Sequence, residues 1–179
     1  MRMASRFSLW MVALFLAAAA IPLDAQPPVV GGTAITRLRA FEEVPAVSSN
    51  GVGRFRAVIE DDGSSVSWEL DYSSLRGTVA QAHIHFAQRG VNGGIVVFLC
   101  SNLGNGPAGT QACPPKPASI SGTFTAADMI GGAAAQGIAP GELHELLRAI
   151  RAGSAYANVH TDLFPGGEIR GQLLFTPNP

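Results

Sequence analysis

Residues 53–72 have the sequence GRFRAVIEDDGSSVSWELDY, in which apolar and polar side chains alternate on both sides of an Asp-Asp-Gly turn signal. Successive side chains of a strand point to opposite faces, so this alternation predicts two strands that each have one dry face. The apolar members of the two runs are Phe55, Ala57 and Ile59, followed by Val66, Trp68, Leu70 and Tyr72. We therefore expect an antiparallel hairpin that packs one face against a core.

Short runs of the same kind continue along the chain. They occupy residues 79–87, 95–100, 119–125, 155–161 and 168–175, and turn residues separate them. One segment has helical periodicity instead, with apolar residues at spacing i, i+3, i+4 and i+7: Leu143, Leu146, Leu147 and Ile150. The pattern predicts an all-β fold, namely a Greek-key-like antiparallel β-sandwich of about eight strands with one amphipathic helix before the last two strands.

The N-terminus has the features of a secretory signal peptide. Two arginines precede an apolar run at residues 9–21, which is too short to span a bilayer comfortably. A signal peptide at residues 1–25 would leave a flexible lead-in at residues 26–34 and one domain at residues 35–176. We predict a secreted or periplasmic protein with no transmembrane segment in its mature chain. The alternative is that the apolar run stays uncleaved as a membrane anchor.

The two cysteines and the charge balance narrow the function further. Cys100 and Cys113 both follow the signal peptide, and an oxidising compartment favours a disulfide between them. The chain has 12 basic and 13 acidic residues, for a formal net charge of -1. Nothing in the linear sequence forms a basic stripe, so nucleic acid is not expected as a partner.

Three histidines fall on strands that have a polar face. His83 and His85 are two positions apart and so point to the same face of their strand. His160 shares a face of its own strand with Asn158. Two imidazoles at i, i+2 can chelate one metal ion, and a third from another strand would complete a zinc or copper site with an open position.

The same polar face allows other interpretations. Asp162 or Glu168 could add an oxygen ligand or orient an imidazole ring. Glu168 and Arg170 could form an ordinary same-face ion pair. The histidines could instead hydrogen-bond to Asn158 or Glu168 and stabilise the sheet without binding anything.

Signatures of catalysis are missing from the sequence, which has no GxSxG, phosphate-binding glycine loop or HExxH motif. We therefore expect a binding or structural module for an unknown extracytoplasmic protein or small ligand, and not an enzyme. Its expected contact surface carries Asn158, Glu168 and Arg170. The second hypothesis is a metalloprotein that holds copper or zinc at the three strand histidines.

Three ordered blocks of sequence add a resemblance to these observations. They are FEEVP with SNGVG (residues 41–45 and 49–53), AHIH with GVNG (82–85 and 90–93), and YANVHT with PGGEIRG (156–161 and 165–171). Together they resemble the CHRD (chordin) domain over residues 35–175. The resemblance implies an extracytoplasmic β-sandwich and leaves its ligand open.

Overall fold

The computed structural model describes residues 31–179. The predicted signal peptide and residues 26–30 of the predicted lead-in lie outside this range. Within it the strands and the α-helix are β1 (Gly32–Arg39), β2 (Val52–Ile59), β3 (Ser65–Ser73), β4 (Val79–Phe86), β5 (Gly94–Ser101), β6 (Ala118–Thr125), α1 (Leu143–Arg151), β7 (Ala155–Thr161), β8 (Ile169–Gln172) and β9 (Leu174–Pro177). Three short 3₁₀-helices complete the described part: Ala40–Glu42, Ala126–Asp128 and Gly131–Gln136.

The strands form one nearly closed antiparallel sheet in the order β5-β4-β7-β8-β1-β2-β3-β6, with β9 paired to β1. The β2–β3 hairpin has the register that the sequence alternation requires, because each pair on the inner face is apolar. These pairs are Phe55 with Leu70, Ala57 with Trp68 and Ile59 with Val66. All six side chains are buried in the core, so the hairpin forms one wall of the barrel-like sheet.

The helix α1 packs its apolar stripe onto the same core. Leu143, Leu146, Leu147 and Ile150 are all buried. The described strands and this helix confirm the predicted all-β antiparallel fold with one amphipathic helix. The disulfide between Cys100 and Cys113 is also confirmed, with the two Cα atoms 5.0 Å apart.

The structure differs from the sequence-based expectation at the two ends of the domain. The strand β1 begins at Gly32, inside the segment expected to be a lead-in. The predicted last strand is divided at Leu173 into β8, which pairs mainly with β7, and β9, which pairs with β1. Three strands therefore follow the helix. No helix in residues 31–179 is long and apolar enough to cross a membrane.

A substitution at Ile84 measures how much the core face of β4 contributes to the stability of the fold. Its side chain is 1% exposed and lies on the face opposite His83 and His85. We expect Ile84→Ala to lower the free energy of unfolding by about 2–5 kcal/mol, because it leaves a cavity in a packed core. Urea denaturation measures this change.

The matched control is Leu103→Ala, at a side chain that is 58% exposed. It should change the free energy of unfolding by no more than about 0.5 kcal/mol. Equal losses in the two variants would contradict the assignment of this face to the core.

Candidate metal centre

The candidate site lies on the face of β4, β7 and β8 that points away from the apolar core. On the core side these strands carry small and branched residues such as Ala82, Ile84 and Val159. On the other side they carry polar residues, and these are nevertheless buried: His83, His85, Asn158, His160, Arg170 and Gln172. Contacts from residues 42–49, 88–93 and 164–168 cover this side of the sheet.

The three residues expected to form the contact surface, Asn158, Glu168 and Arg170, are buried, and their role in binding stays a prediction. Their exposed fractions are 1%, 0% and 5%. Strand alternation placed them on one polar face, but loops far away in sequence cover that face. They contribute to the interior of the site and not to an open surface.

The structure brings the three strand histidines together. His83 and His85 come from β4 and His160 from β7, and each offers one ring nitrogen within 4.8 Å of the others. The rings of His83 and His160 are 4.9 Å apart between centroids, and those of His83 and His85 are 5.5 Å apart. The expected convergence of the trio is therefore present in the geometry, while its occupation by a metal stays a prediction.

Backbone carbonyls orient two of the three rings. His85 Nδ1 lies 3.0 Å from Gly93 O, and His160 Nδ1 lies 2.8 Å from Pro165 O. A carbonyl oxygen only accepts, so each Nδ1 must carry the proton and donate it. The Nε2 atoms of both rings are then left with a lone pair, which is the form that binds a metal.

Two nitrogen atoms of the trio have no partner. Among residues 31–179, His83 Nε2 and His85 Nε2 are buried and make no hydrogen bond. His83 Nδ1 lies 3.1 Å from His160 Nε2, and because His160 carries its proton on Nδ1, His83 Nδ1 donates and His160 Nε2 accepts. This hydrogen bond would have to break for His160 Nε2 to bind a metal. A buried polar atom without a partner costs about 1–3 kcal/mol, so the Nε2 atoms of His83 and His85 require an explanation.

All three imidazoles are held in the neutral form. Burial lowers the pKa of His83 to about 2 and the pKa of His85 to about 4. Burial also lowers the pKa of His160, and the positive charge of Arg170 acts in the same direction there. Neutral imidazole is the protonation state in which histidine is a metal ligand.

Aromatic rings enclose the trio on two sides. The Phe98 ring meets His83 edge to face at 4.4 Å, and the Tyr156 ring stacks on His85 at 4.7 Å with an interplanar angle of 3°. The Tyr156 hydroxyl accepts a hydrogen bond from Gly93 N at 3.3 Å. Tyr156 and Gly93 therefore both hold His85 in place, a role that the histidine pattern alone did not indicate.

Glu43 is the functional residue that the sequence analysis missed. Its carboxylate accepts Arg170 Nε and Asn158 Nδ2, each at 2.6 Å, and it is 5% exposed. Burial raises the pKa of Glu43 to about 7, and the guanidinium of Arg170 opposes this shift. Its only signal in the sequence was its position in the FEEVP block.

This contact corrects the expected ion pair between Glu168 and Arg170. Arg170 pairs with Glu43 instead and donates from Nη2 to Asn92 Oδ1 at 2.7 Å. Its guanidinium also lies 4.5 Å above the centre of the Tyr156 ring. The partner of Arg170 comes from a loop 127 positions away in sequence, which i, i+2 spacing cannot reveal.

Glu168 and Asp162 are used elsewhere and do not belong to the group of converging ligands. Glu168 accepts hydrogen bonds from Ser49 Oγ at 2.6 Å, Thr161 Oγ1 at 2.9 Å and the backbone N–H groups of residues 76 and 77. Although burial raises its pKa, these hydrogen bonds outweigh that effect and lower it. Asp162 accepts from Thr78 N at 2.7 Å. Neither carboxylate therefore orients an imidazole ring; the backbone carbonyls of Gly93 and Pro165 do so instead.

The buried ion pair gives a prediction about pH. The pKa of Glu43 in the folded protein, about 7, lies above its ordinary value of 4.5. The stabilisation that Glu43 contributes is therefore fully present below pH 4.5 and is lost as the pH rises through 7. In Arg170→Met the opposing charge is gone, so we expect a loss of about 3–5 kcal/mol at pH 8 and a smaller loss at pH 5.

Urea unfolding at the two pH values measures this difference. The control makes Arg170→Met in the Glu43→Gln background, where the loss relative to Glu43→Gln alone should no longer depend on pH between 5 and 8. An equal loss at both pH values in Arg170→Met alone would show that the carboxylate charge is not what destabilises it.

Comparison with known proteins identifies the family to which the chain belongs. The CHRD domain model matches residues 35–173. No curated protein and no solved structure matches the chain. The matched region contains the three histidines, Glu43, Arg170 and every described strand except β9 and the first three residues of β1. Because the match covers most of its length, the chain belongs to the CHRD domain family.

Proposed function

We propose that this CHRD module binds one copper or zinc ion through His83, His85 and His160. The observation that carries the proposal is the pair of buried Nε2 atoms, on His83 and His85, that have no hydrogen-bond partner within the described residues. A metal ion would satisfy such lone pairs where no donor is present.

The type of ligand supports a first-row transition metal of this kind. The converging group consists of three imidazoles, with no carboxylate among them. Imidazole nitrogen suits zinc and copper, whereas calcium and magnesium prefer oxygen ligands. Both cysteines are in the disulfide and so are not available as thiolate ligands.

The arrangement of the rings supports the same proposal. Carbonyl oxygens fix the tautomers of His85 and His160, which is how metal-binding histidines are held by their surroundings. Three protein ligands leave a fourth coordination position for water or a small ligand. We infer a site for metal binding or storage in which that position would allow simple redox chemistry if the ion is copper.

The alternative is that the trio only stabilises the sheet. A purely structural role is a poor fit, because apolar side chains of similar volume would avoid the cost of two unsatisfied nitrogens, about 1–3 kcal/mol each. Glu168 shows what a structural polar residue looks like here, since four donors satisfy it. We infer that the chain acts as an exported metal-binding module, and the disulfide supports an oxidising location.

Metal analysis of the protein purified without chelator tests the proposal. We expect about one copper or zinc ion per chain, and loss of that ion in the double variant His83→Gln, His85→Gln. The matched control is His144→Gln, because His144 is exposed on α1 and lies outside the trio. It should retain the metal.

A thermal titration separates metal binding from a folding defect. Added Cu²⁺ or Zn²⁺ should raise the melting temperature of the native protein and of His144→Gln, with a stabilisation of about 2.7 kcal/mol at a hundredfold excess over Kd. It should not raise that of the His83, His85 variant. Equal, substoichiometric metal in all three proteins, with no thermal shift, would overturn the proposal.

A further inference from the structure

A ladder of arginines crosses the exposed face of the adjacent strands β1 and β2. We call Arg37, Arg39, Arg54 and Arg56 the arginine ladder. Arg37 lies directly opposite Arg54, Arg39 lies opposite Val52, and Arg56 lies opposite Ile35. All four arginines are exposed. Same-face positions along a strand are about 7 Å apart, so the three rungs extend over about 14 Å.

The ladder is unpaired in the structure. Within residues 31–179, none of its four side chains makes a hydrogen bond or an ion pair, and the ion pairs of the chain involve other arginines. Like charges directly opposite each other on neighbouring strands destabilise a sheet by a few tenths to about 1 kcal/mol. Asp71 of β3 lies opposite Arg54 and offsets part of this repulsion, whereas Arg37 has the like charge of Arg54 opposite it, so the rung keeps a net positive charge that is suited to an anion.

A shallow cavity lies on each side of the ladder. One has a volume of about 630 Å³ and the other about 540 Å³, and Arg37, Arg39 and Arg54 line both. The other lining groups include hydroxyls from Thr36, Ser73 and Ser119, the exposed aliphatic side chains Ile35, Val52 and Leu174, and one carboxylate in each cavity, from Asp71 and Glu42. The surface thus offers charge, hydrogen-bonding groups and small apolar patches side by side.

We propose that the arginine ladder binds a linear acidic polysaccharide that lies along β1 and β2. Successive carboxylate or sulfate groups would contact the rungs, because guanidinium recognises such planar or multi-oxygen anions in a fork. Hydroxyls in the flanking cavities would bind sugar hydroxyls, and the aliphatic side chains would cover sugar C–H faces. This function is independent of the proposed metal site.

The width of the ladder favours a narrow chain over a broad anionic surface. Glu69 and Asp71 of β3 lie directly opposite Arg56 and Arg54, and Glu42 borders the cavity on the other side. A membrane plane or a DNA duplex would cover these carboxylates together with the arginines and be repelled by them. A single extended polymer can align its anionic groups with the arginines and place neutral sugar hydroxyls beside Asp71 and Glu42.

The arginine ladder also weakens the argument against nucleic acid as a partner, which relied on the absence of a basic stripe in the linear sequence. The linear sequence has no basic stripe, but pairing of β1 with β2 assembles one from two short segments 15 or more positions apart. DNA therefore belongs among the test ligands, and its binding would count against the proposal.

The experiment measures binding of the purified protein to fluorescent polygalacturonate and dextran sulfate, with neutral dextran as the comparison. We expect saturable binding to one or both acidic polymers and none to dextran. If the four arginines release four counterions, log K should fall with log[salt] with a slope of about −0.7 for each. The affinity would then weaken about 50-fold between 50 and 200 mM salt.

The variant is the double substitution Arg37→Gln, Arg54→Gln, which removes the doubly charged rung. It should weaken polymer binding at least tenfold and leave the melting temperature nearly unchanged, since the repulsion between Arg37 and Arg54 and the attraction of Arg54 to Asp71 are removed together. The control, Arg76→Gln with Arg148→Gln, removes the same charge from exposed side chains outside the ladder. It should keep the native affinity.

Three results would overturn the proposal. They are native affinity in the ladder variant, an equal loss in the control, and tighter binding to duplex DNA or to vesicles of phosphatidylglycerol than to either acidic polymer. Tighter binding to DNA or vesicles would assign the surface to a different class of partner. An equal loss in the control would show that total charge governs adsorption of the polymer.

Discussion

The contact between Glu43 and Arg170 joins the loop after β1 to the polar face of the sheet. Its two charges are 2.6 Å apart and almost fully buried, and Asn158 on β7 donates to the same carboxylate. Removing buried charges from water is expensive unless they are paired and hydrogen-bonded. With this contact in place the loop can cover β7 and β8, and the histidine trio is excluded from solvent. Without it the same face would have to remain hydrated.

Sequence periodicity was sufficient for strands β2 to β7 and for the side on which their residues lie, but it did not identify β1 or the division of the last strand at Leu173. The alternation in residues 53–72 gave the hairpin, and i, i+2 spacing placed His83 and His85 on one face. It could not give the partner of Arg170 or the alignment of Arg37 with Arg54, since both depend on segments brought together by the fold. Alternation identifies a face, whereas register and loop cover decide what that face does.

The two proposed sites share the outer side of one sheet and differ in what covers it. On β4, β7 and β8 the loops bury the polar groups, which makes charge unfavourable and keeps the histidines neutral. On β1 and β2 no such cover exists in the described part of the chain, and the four arginines are exposed. The boundary lies where Arg39 of β1 is paired with Arg170 of β8.

The charge on Arg170 would by itself work against a metal ion in the trio. It lies near enough to lower the pKa of both His85 and His160, and the same Coulomb interaction would repel a bound cation. The carboxylate of Glu43, which accepts Arg170 Nε at 2.6 Å, offsets that positive charge when it is ionised. The pair thus has two effects on the proposed centre, because it holds the loop over the site and it limits the positive potential there. A neutral polar residue at position 43 could perform the first through hydrogen bonds, but only an anion can perform the second.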